Sequence, residues 1–320
     1  MRAIVVSELG GPEAMVVTEQ PDPVAGPGQI VVEVAAAGVN FIDTYRRSGV
    51  YKQPVPYVPG SEGAGTVVAV GEGVTEFAVG EHVAWHEGPG SYAERVAVPA
   101  GHAVPVPEGI DQKIAAAVML QGLTAHYLCR STFPVTEGTV AVAHAAAGGV
   151  GLLLTQMIKH LGGTVVATTS SAPKAALARQ AGADYVTTYE EFPAVVRDAT
   201  GGRGADVVFD GVGKATFDAS LSVLRRRGMM VLFGGSSGQV PPFDPQRLNS
   251  GGSLYLTRPI LAHYVADHAE LEWRARDVFG SIAKGELSVR VGAEYPLADA
   301  PRAHEDLVAR RTTGKVLLIP

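Results

Sequence analysis

The chain has 320 residues, 46% hydrophobic and 18% charged, with a formal net charge of −6 and a single cysteine. That balance is enough for a sizeable core and excludes a disordered chain, and with acids and bases interspersed it gives no electrostatic case for nucleic acid or an anionic membrane. Cys129 alone forms neither an internal disulfide nor a structural zinc site. Glu8, Gly10 and Gly11 interrupt the N-terminal apolar run before a signal-peptide core could form, and no apolar run approaches the ~18 residues of a transmembrane helix. The expectation is a cytoplasmic protein of two domains.

The first third reads as β structure. Ile4–Val6, Ile30–Ala37, Gly63–Val70, His82–Trp85 and Tyr92–Val98 are short β-branched runs, separated by Gly/Pro clusters such as Gly26-Pro27-Gly28 and Val58-Pro59-Gly60. Such spacing suggests a barrel or sandwich. Lys113–Tyr127 is Ala-rich with helical spacing. A regular alternation follows: strand Thr139–His144, helix Gly149–Leu161, strand Thr164–Thr168, helix Pro173–Ala181, strands Tyr185–Thr188 and Val207–Asp210, helix Phe217–Leu224, strand Gly228–Phe233. Strand–helix alternation implies a parallel sheet. Gly162-Gly163 and Gly182 follow two of the helices where C-terminal glycines belong, and Ser171 before Pro173 reads as an N-cap. Arg225-Arg226-Arg227 reads as cations closing a helix. In the last segment, Asp267–Lys284 and Ala300–Arg310 are expected helices, and Val289–Tyr295 and Lys315–Ile319 strands. Periodicity leaves open whether these extend the α/β sheet or fold back on the N-terminal domain.

The chemistry begins at the first alternating strand. Val140–His144 is a buried-strand pattern, followed by Ala145-Ala146-Ala147-Gly148-Gly149-Val150-Gly151 and an apolar helix. The turn reads A-x-G-x-x-G from Ala146 to Gly151. Gly148 permits close approach of a pyrophosphate, Gly151 permits the helix to pack on the strand, and the helix N-terminus offers N–H donors. A dinucleotide site is expected in this strand–turn–helix context. The next strand, Thr164–Thr168, runs into Thr169-Ser170-Ser171 with no acid, and Lys174 lies just beyond. Hydroxyls and a cation suit the 2′-phosphate of NADP(H) better than the free ribose of NAD.

Asn40–Tyr45, Val58–Gly65, Ala145–Gly151, Phe233–Gly238 and Ser253–Pro259 together resemble the medium-chain dehydrogenase/reductase superfamily, and within it the zinc-free NADPH:quinone oxidoreductases of the zeta-crystallin-like branch. The resemblance spans the whole chain, and in that branch Ala146 matches the pattern. It implies an α/β protein: a GroES-like β-barrel catalytic domain (1–122, completed by 260–320) and a Rossmann doubly wound parallel-sheet domain (123–259). It implies NADPH as cofactor, a quinone or other electron-poor carbonyl as acceptor, and a homodimer whose strands near Leu254–Leu256 pair across subunits. It implies that Ala147, Gly148, Gly149 and Val150 hold the pyrophosphate, that Ser170, Lys174, Tyr189 and Arg310 surround the 2′-phosphate, that Phe233, Gly234 and Ser236 flank the nicotinamide, and that Asn40 and Thr124 lie near it. Gly235 stands where some relatives carry Asn.

Zinc members of the superfamily need a Cys, a His and an acid for catalytic zinc. Here Gly38-Val39-Asn40 stands at the cysteine position and Ser61-Glu62 at the His-Glu position, so no ligand set is expected. His82, His86, His102 and His126 lack ligand spacing and are expected to be surface or satisfied core histidines. Without a Lewis acid, hydride transfer favours quinones or, as an alternative, enones and alkenals; a non-catalytic NADPH-binding sensor is the reading of another class. Asn40, Tyr45, Tyr51 and Thr124 are the catalytic candidates. Tyr45 and Tyr51 are either packing aromatics or substrate contacts, and Asn40 is either a turn residue or a donor to the developing oxyanion. Asp43 is expected to cap a short helix.

Overall fold

Alternating β-branched residues draw the N-terminal third into strands, because one face of each can be buried while the other is left to solvent or to a second layer. In the computed structural model, which describes residues 1–320, β1 (Arg2–Val6) pairs antiparallel with β2 (Met15–Glu19), placing Ile4 opposite Val17. The long β3 (Gln29–Val39) is buried along most of both faces and pairs with β4 (Gly63–Val70). Between them lies the short helix α1 (Phe41–Arg47). Strands β5 (His82–Trp85), β6 (Arg95–Pro99) and β7 (Ala103–Pro105) follow, β5 on β4, β6 on β3 and β7 on β5. Ile4, Ile30, Val32, Val67, Trp85 and Val98 form the core of this unit, each such side chain stabilising the fold by about 1.5–3 kcal/mol on full burial.

Helix α2 (Gln112–Tyr127) leads into the alternating half of the chain. There β8 (Val140–Ala143), α3 (Gly149–His160), β9 (Thr164–Thr168), α4 (Ala172–Gln180), β10 (Tyr185–Thr187), α5 (Phe192–Ala199), β11 (Ala205–Asp210), α6 (Phe217–Ser222), β12 (Leu224–Leu232), α7 (Gln246–Ser250) and β13 (Tyr255–Thr257) follow in turn. The six strands pair in parallel in the order β10-β9-β8-β11-β12-β13. Counted within the unit this is the doubly wound order 3-2-1-4-5-6 of a Rossmann sheet. Val142, Val166, Val208 and Met230 pack against Phe192 and Phe217 in its core.

The chain then returns to the first unit through α8 (His268–Ala283), β14 (Val291–Pro296), α9 (Ala300–Val308) and β15 (Lys315–Ile319). Strand β15 is antiparallel to β3, with Leu317 opposite Gly38, and β14 is parallel to β15. This decides the question that periodicity left open: the last strands complete the seven-stranded sheet of the N-terminal unit. The two compact units are Met1–Gln121 with Val265–Pro320, and Gly122–Tyr264. No helix is long and apolar enough to cross a membrane.

The structure corrects two local expectations. Leu224–Arg227 is not the end of a helix: α6 stops at Ser222, and the arginines sit in β12, where Arg225 Nε donates to Asp206 at 2.5 Å. That cation serves a carboxylate on the neighbouring strand rather than a helix dipole. Asp43 is not an N-cap: Asn40 is, and Asp43 occupies the third helical position of a capping box, its Oδ2 accepting Asn40 N–H at 2.9 Å.

Candidate active site

The glycine-rich turn is built by a change of backbone sense at the end of β8. Ala145 takes a left-handed φ of 52°, and its carbonyl accepts Gly148 N–H at 2.9 Å. Ala146 is fully buried, its N–H bonded to Thr168 O at 3.1 Å, and it is not in the left-handed region, so the position accepts a Cβ where the fingerprint has glycine. Gly151 has no such freedom. A Cβ there would lie 2.4 Å from Ala145 O and 2.7 Å from Ala146 Cα, so glycine is what lets α3 sit on the turn. Gly148 is the N-cap of α3 and supplies no side-chain cap to the first N–H groups of this 12-residue helix. Half-buried donors at an uncapped helix start, beside a bare glycine, fit the pyrophosphate of a dinucleotide.

The other cofactor candidates of this unit lie past the carboxyl ends of its strands, where ligands of open α/β sheets bind. Ser170 is exposed just beyond β9; Lys174 is half-buried in the first turns of α4, whose N-cap Ser171 makes no side-chain cap bond. The Tyr189 ring, beyond β10, lies 5.9 Å from that of His144. Phe233 N–H and Gly234 N–H both donate to Asp210 O, at 2.9 and 3.3 Å, which folds the segment after β12 against the end of β11, and Ser236 N–H donates to Gly211 O at 3.2 Å. Ala147, Gly149 and Val150 complete the turn. Arg310 belongs to the first unit, exposed past the end of α9 with a φ of 58°.

In the first unit, Asn40 is 5% exposed and both ends of its amide are engaged. Its Nδ2 donates to Glu62 Oε1 at 2.5 Å, and its Oδ1 accepts from Lys315 Nζ at 2.9 Å. Lys315 also contacts Glu62 directly, and Glu62 Oε2 accepts Leu120 N–H at 2.6 Å. A Cβ on Gly38 would stand 2.3 Å from Glu62 Oε1, so the carboxylate fills the space a side chain at 38 would need. Tyr45 and Tyr51 pack edge to face, centroids 5.7 Å apart, with Tyr51 39% exposed. Thr124 is buried on α2 in the second unit. No three His, Cys, Asp or Glu side chains are grouped so as to hold a metal ion.

Lys315 was not singled out from the sequence. Its signal was the sole charge in the otherwise apolar run Lys315–Ile319, on a strand buried along its first four positions. Around Asp43 a second buried cluster had no sequence signal: Tyr92 Oη donates to Asp43 Oδ2 at 3.1 Å and lies 3.1 Å from His304 Nε2. Burial pushes the Asp43 carboxyl up to about 6 and the His304 imidazole down to about 3. His86 departs from expectation. It is buried and stacked on His102 at 5.5 Å, yet neither ring nitrogen has a partner, and burial pushes it down to about 4.

Residues 26–108 match the family of alcohol dehydrogenase GroES-like domains, and residues 149–270 that of zinc-binding dehydrogenases. The chain is similar to a quinone oxidoreductase of Pseudomonas aeruginosa, 43% identical over 100% of this chain and 99% of that protein. It is similar to a 2-haloacrylate reductase of a Burkholderia species, 39% identical over 99% of this chain and 98% of that protein. Among solved structures it is similar to the quinone oxidoreductase of Escherichia coli complexed with NADPH, with a TM-score of 0.98 and 41% identity over 100% of each chain.

Proposed function

The chain belongs to the quinone oxidoreductase family of the medium-chain dehydrogenase/reductase superfamily, and from that premise we propose that it reduces quinones with NADPH and without zinc. The observation that carries the zinc-free part is the Lys315 ammonium held against Glu62 and Asn40: a fixed cation beside the one carboxylate at that place repels a metal ion.

Ala147, Gly148, Gly149 and Val150 would hold the pyrophosphate on the start of α3, and Ser170, Lys174, Tyr189 and Arg310 the 2′-phosphate. Phe233, Gly234 and Ser236 would flank the nicotinamide. NADPH, when bound, supplies the hydride. What remains for the protein is to orient an acceptor that is already electron-poor, to exclude water, and to present polar groups to oxygen as charge develops there. We assign orientation to Asn40 and Thr124, the first because its amide is fixed by Glu62 and Lys315, and water exclusion to the Tyr45–Tyr51 pair. A homodimer belongs to the same reading, supported by β13, an edge strand of its sheet with Tyr255 57% exposed. So does a cytoplasmic location, in keeping with a single, buried cysteine, Cys129, that is in no disulfide.

The test is a panel of quinones and enones, with NADPH oxidation followed by absorbance. Quinones are expected to give the higher kcat/KM. The likeness to a 2-haloacrylate reductase favours one second reading, reduction of an activated carbon–carbon double bond. Enones turning over with a kcat/KM well above every quinone would replace the first reading with the second.

A further inference from the structure

His144, the residue before the glycine-rich turn, sits at the centre of a buried hydrogen-bonded chain. Its Nδ1 lies 2.8 Å from Thr168 Oγ1 and its Nε2 2.9 Å from Ser220 Oγ. Ser220 Oγ donates to Asp210 Oδ2 at 3.2 Å, and Thr216 Oγ1 donates to the same oxygen at 2.7 Å. Asp210 Oδ1 accepts Val212 N–H at 2.7 Å and Gly213 N–H at 2.9 Å. None of these five side chains is more than 2% exposed.

The proton directions are fixed by counting donors. Ser220 has one proton and gives it to Asp210, so its oxygen receives His144 Nε2–H. Nδ1 is then an acceptor and takes the Thr168 hydroxyl proton. A single neutral tautomer satisfies every atom. Burial, which holds the imidazole down at about 4, favours that uncharged form.

The three ends of this chain are segments assigned above to the cofactor. Thr168 O accepts Ala146 N–H, at the start of the pyrophosphate turn, and Thr168 itself precedes Ser170. Asp210 O accepts Phe233 N–H and Gly234 N–H on the nicotinamide side. The imidazole ring also packs edge-on to Phe192 at 4.9 Å and beside Tyr189 at 5.9 Å.

We propose that His144 is a positioning residue for NADPH: through Thr168 and Ser220 it locks the ends of β8, β9 and β11 in the one arrangement that presents all three cofactor segments together. The proposal rests on the assignment of those segments to NADPH. A satisfied polar network of this kind specifies one geometry where an apolar core would tolerate several.

The experiment is an NADPH fluorescence titration of Thr168→Val, Ser220→Ala and the double variant, with apo melting temperatures and the KM for quinone alongside. Each single variant is expected to raise the NADPH Kd about tenfold, a typical loss for one buried hydrogen bond. The double variant should raise it little more than either single one, because both act through one ring. The KM for quinone should be unchanged, and Thr168→Ser should restore the wild-type Kd. Single variants that lower the apo melting temperature while binding NADPH within twofold of wild type would overturn the proposal and leave the network merely structural. Gly148→Leu separates this from failure of the site itself. A Cβ there meets only Ala145 O, at 3.2 Å, a tight contact that the turn must relax by a few tenths of an ångström to take, so the apo melting temperature of this variant is measured too; the side chain would cover the turn. Loss of NADPH binding in Gly148→Leu keeps the site; wild-type binding in it removes the site, and the role of His144 with it.

Discussion

The ammonium of Lys315 and the carboxylate of Glu62 are in contact inside the first unit, with 1% and 0% of their side chains exposed. Ions so enclosed are costly to desolvate, and the hydrogen bonds from Asn40 and Leu120 to the carboxylate offset that cost. Removing one partner strands the other. Lys315→Met is expected to lower stability by about 3–5 kcal/mol, and Lys315→Met with Glu62→Gln to recover part of it, because the second change removes the orphaned charge. Urea denaturation of the three proteins measures this. A single variant as stable as wild type would mean that the pair contributes no fixed geometry to Asn40.

Gly38 tests the same site from the other side. Gly38→Cys puts a Cβ into the space of Glu62 Oε1 and is expected to cost about 1–3 kcal/mol by overpacking, without conferring zinc binding. A stable Gly38→Cys protein that takes up stoichiometric zinc would show that the network yields to a metal.

Acid should destabilise the protein. Burial depresses the imidazoles of His86, His144 and His304 from 6.5 to about 4, about 4 and about 3, and raises the Asp43 carboxyl from 3.8 to about 6. A depressed histidine contributes stability that is complete above 6.5 and lost as pH falls toward its folded value. Asp43 works the other way: its contribution is complete below 3.8 and lost as pH rises through about 6. Between pH 6 and 4 the unfolded chain carries protons on the three histidines, while the native chain carries one on Asp43. Stability should therefore fall with pH across that window, by on the order of 2–3 kcal/mol per unit. Urea midpoints at pH 7, 6 and 5 check the sign, and a midpoint that rises on acidification contradicts it.

Lys174→Ala should discriminate between the two nicotinamide cofactors. Loss of a charge-assisted phosphate contact costs about 1.5–3 kcal/mol, so the NADPH Kd should rise by roughly 10- to 100-fold while the NADH Kd stays put. Parallel titrations measure both. Equal affinity of the wild-type protein for NADPH and NADH would contradict the 2′-phosphate assignment.

The Rossmann half was legible because its signals are local. Val140–Ala143 and Val165–Ala167 are uninterrupted apolar runs, and Gly162 and Gly182, both left-handed in the structure, punctuate the helices after them. Leu224–Arg227 misled because three consecutive cations look like a helix end, whereas the partner that draws Arg225 into a strand, Asp206, lies 19 residues upstream. The helix Phe192–Ala199 and the strand Met15–Glu19 were not foreseen. The first is just eight residues long, and the second is defined by its pairing with β1. The turn of the candidate site was readable for the same local reason. What surrounds it was not. Asn40 meets Lys315 across 275 positions, and His144 meets Ser220 across 76. No spacing rule links such residues, since sheet order and not sequence brings them together.

The most direct measurement is the rate of NADPH oxidation by 1,4-benzoquinone, catalysed by enzyme dialysed exhaustively against a metal chelator. With Lys315 held against Glu62, the expected result is a kcat unchanged by the treatment and by added zinc. Activity that disappears on chelation and returns with zinc would contradict zinc-free hydride transfer to a quinone.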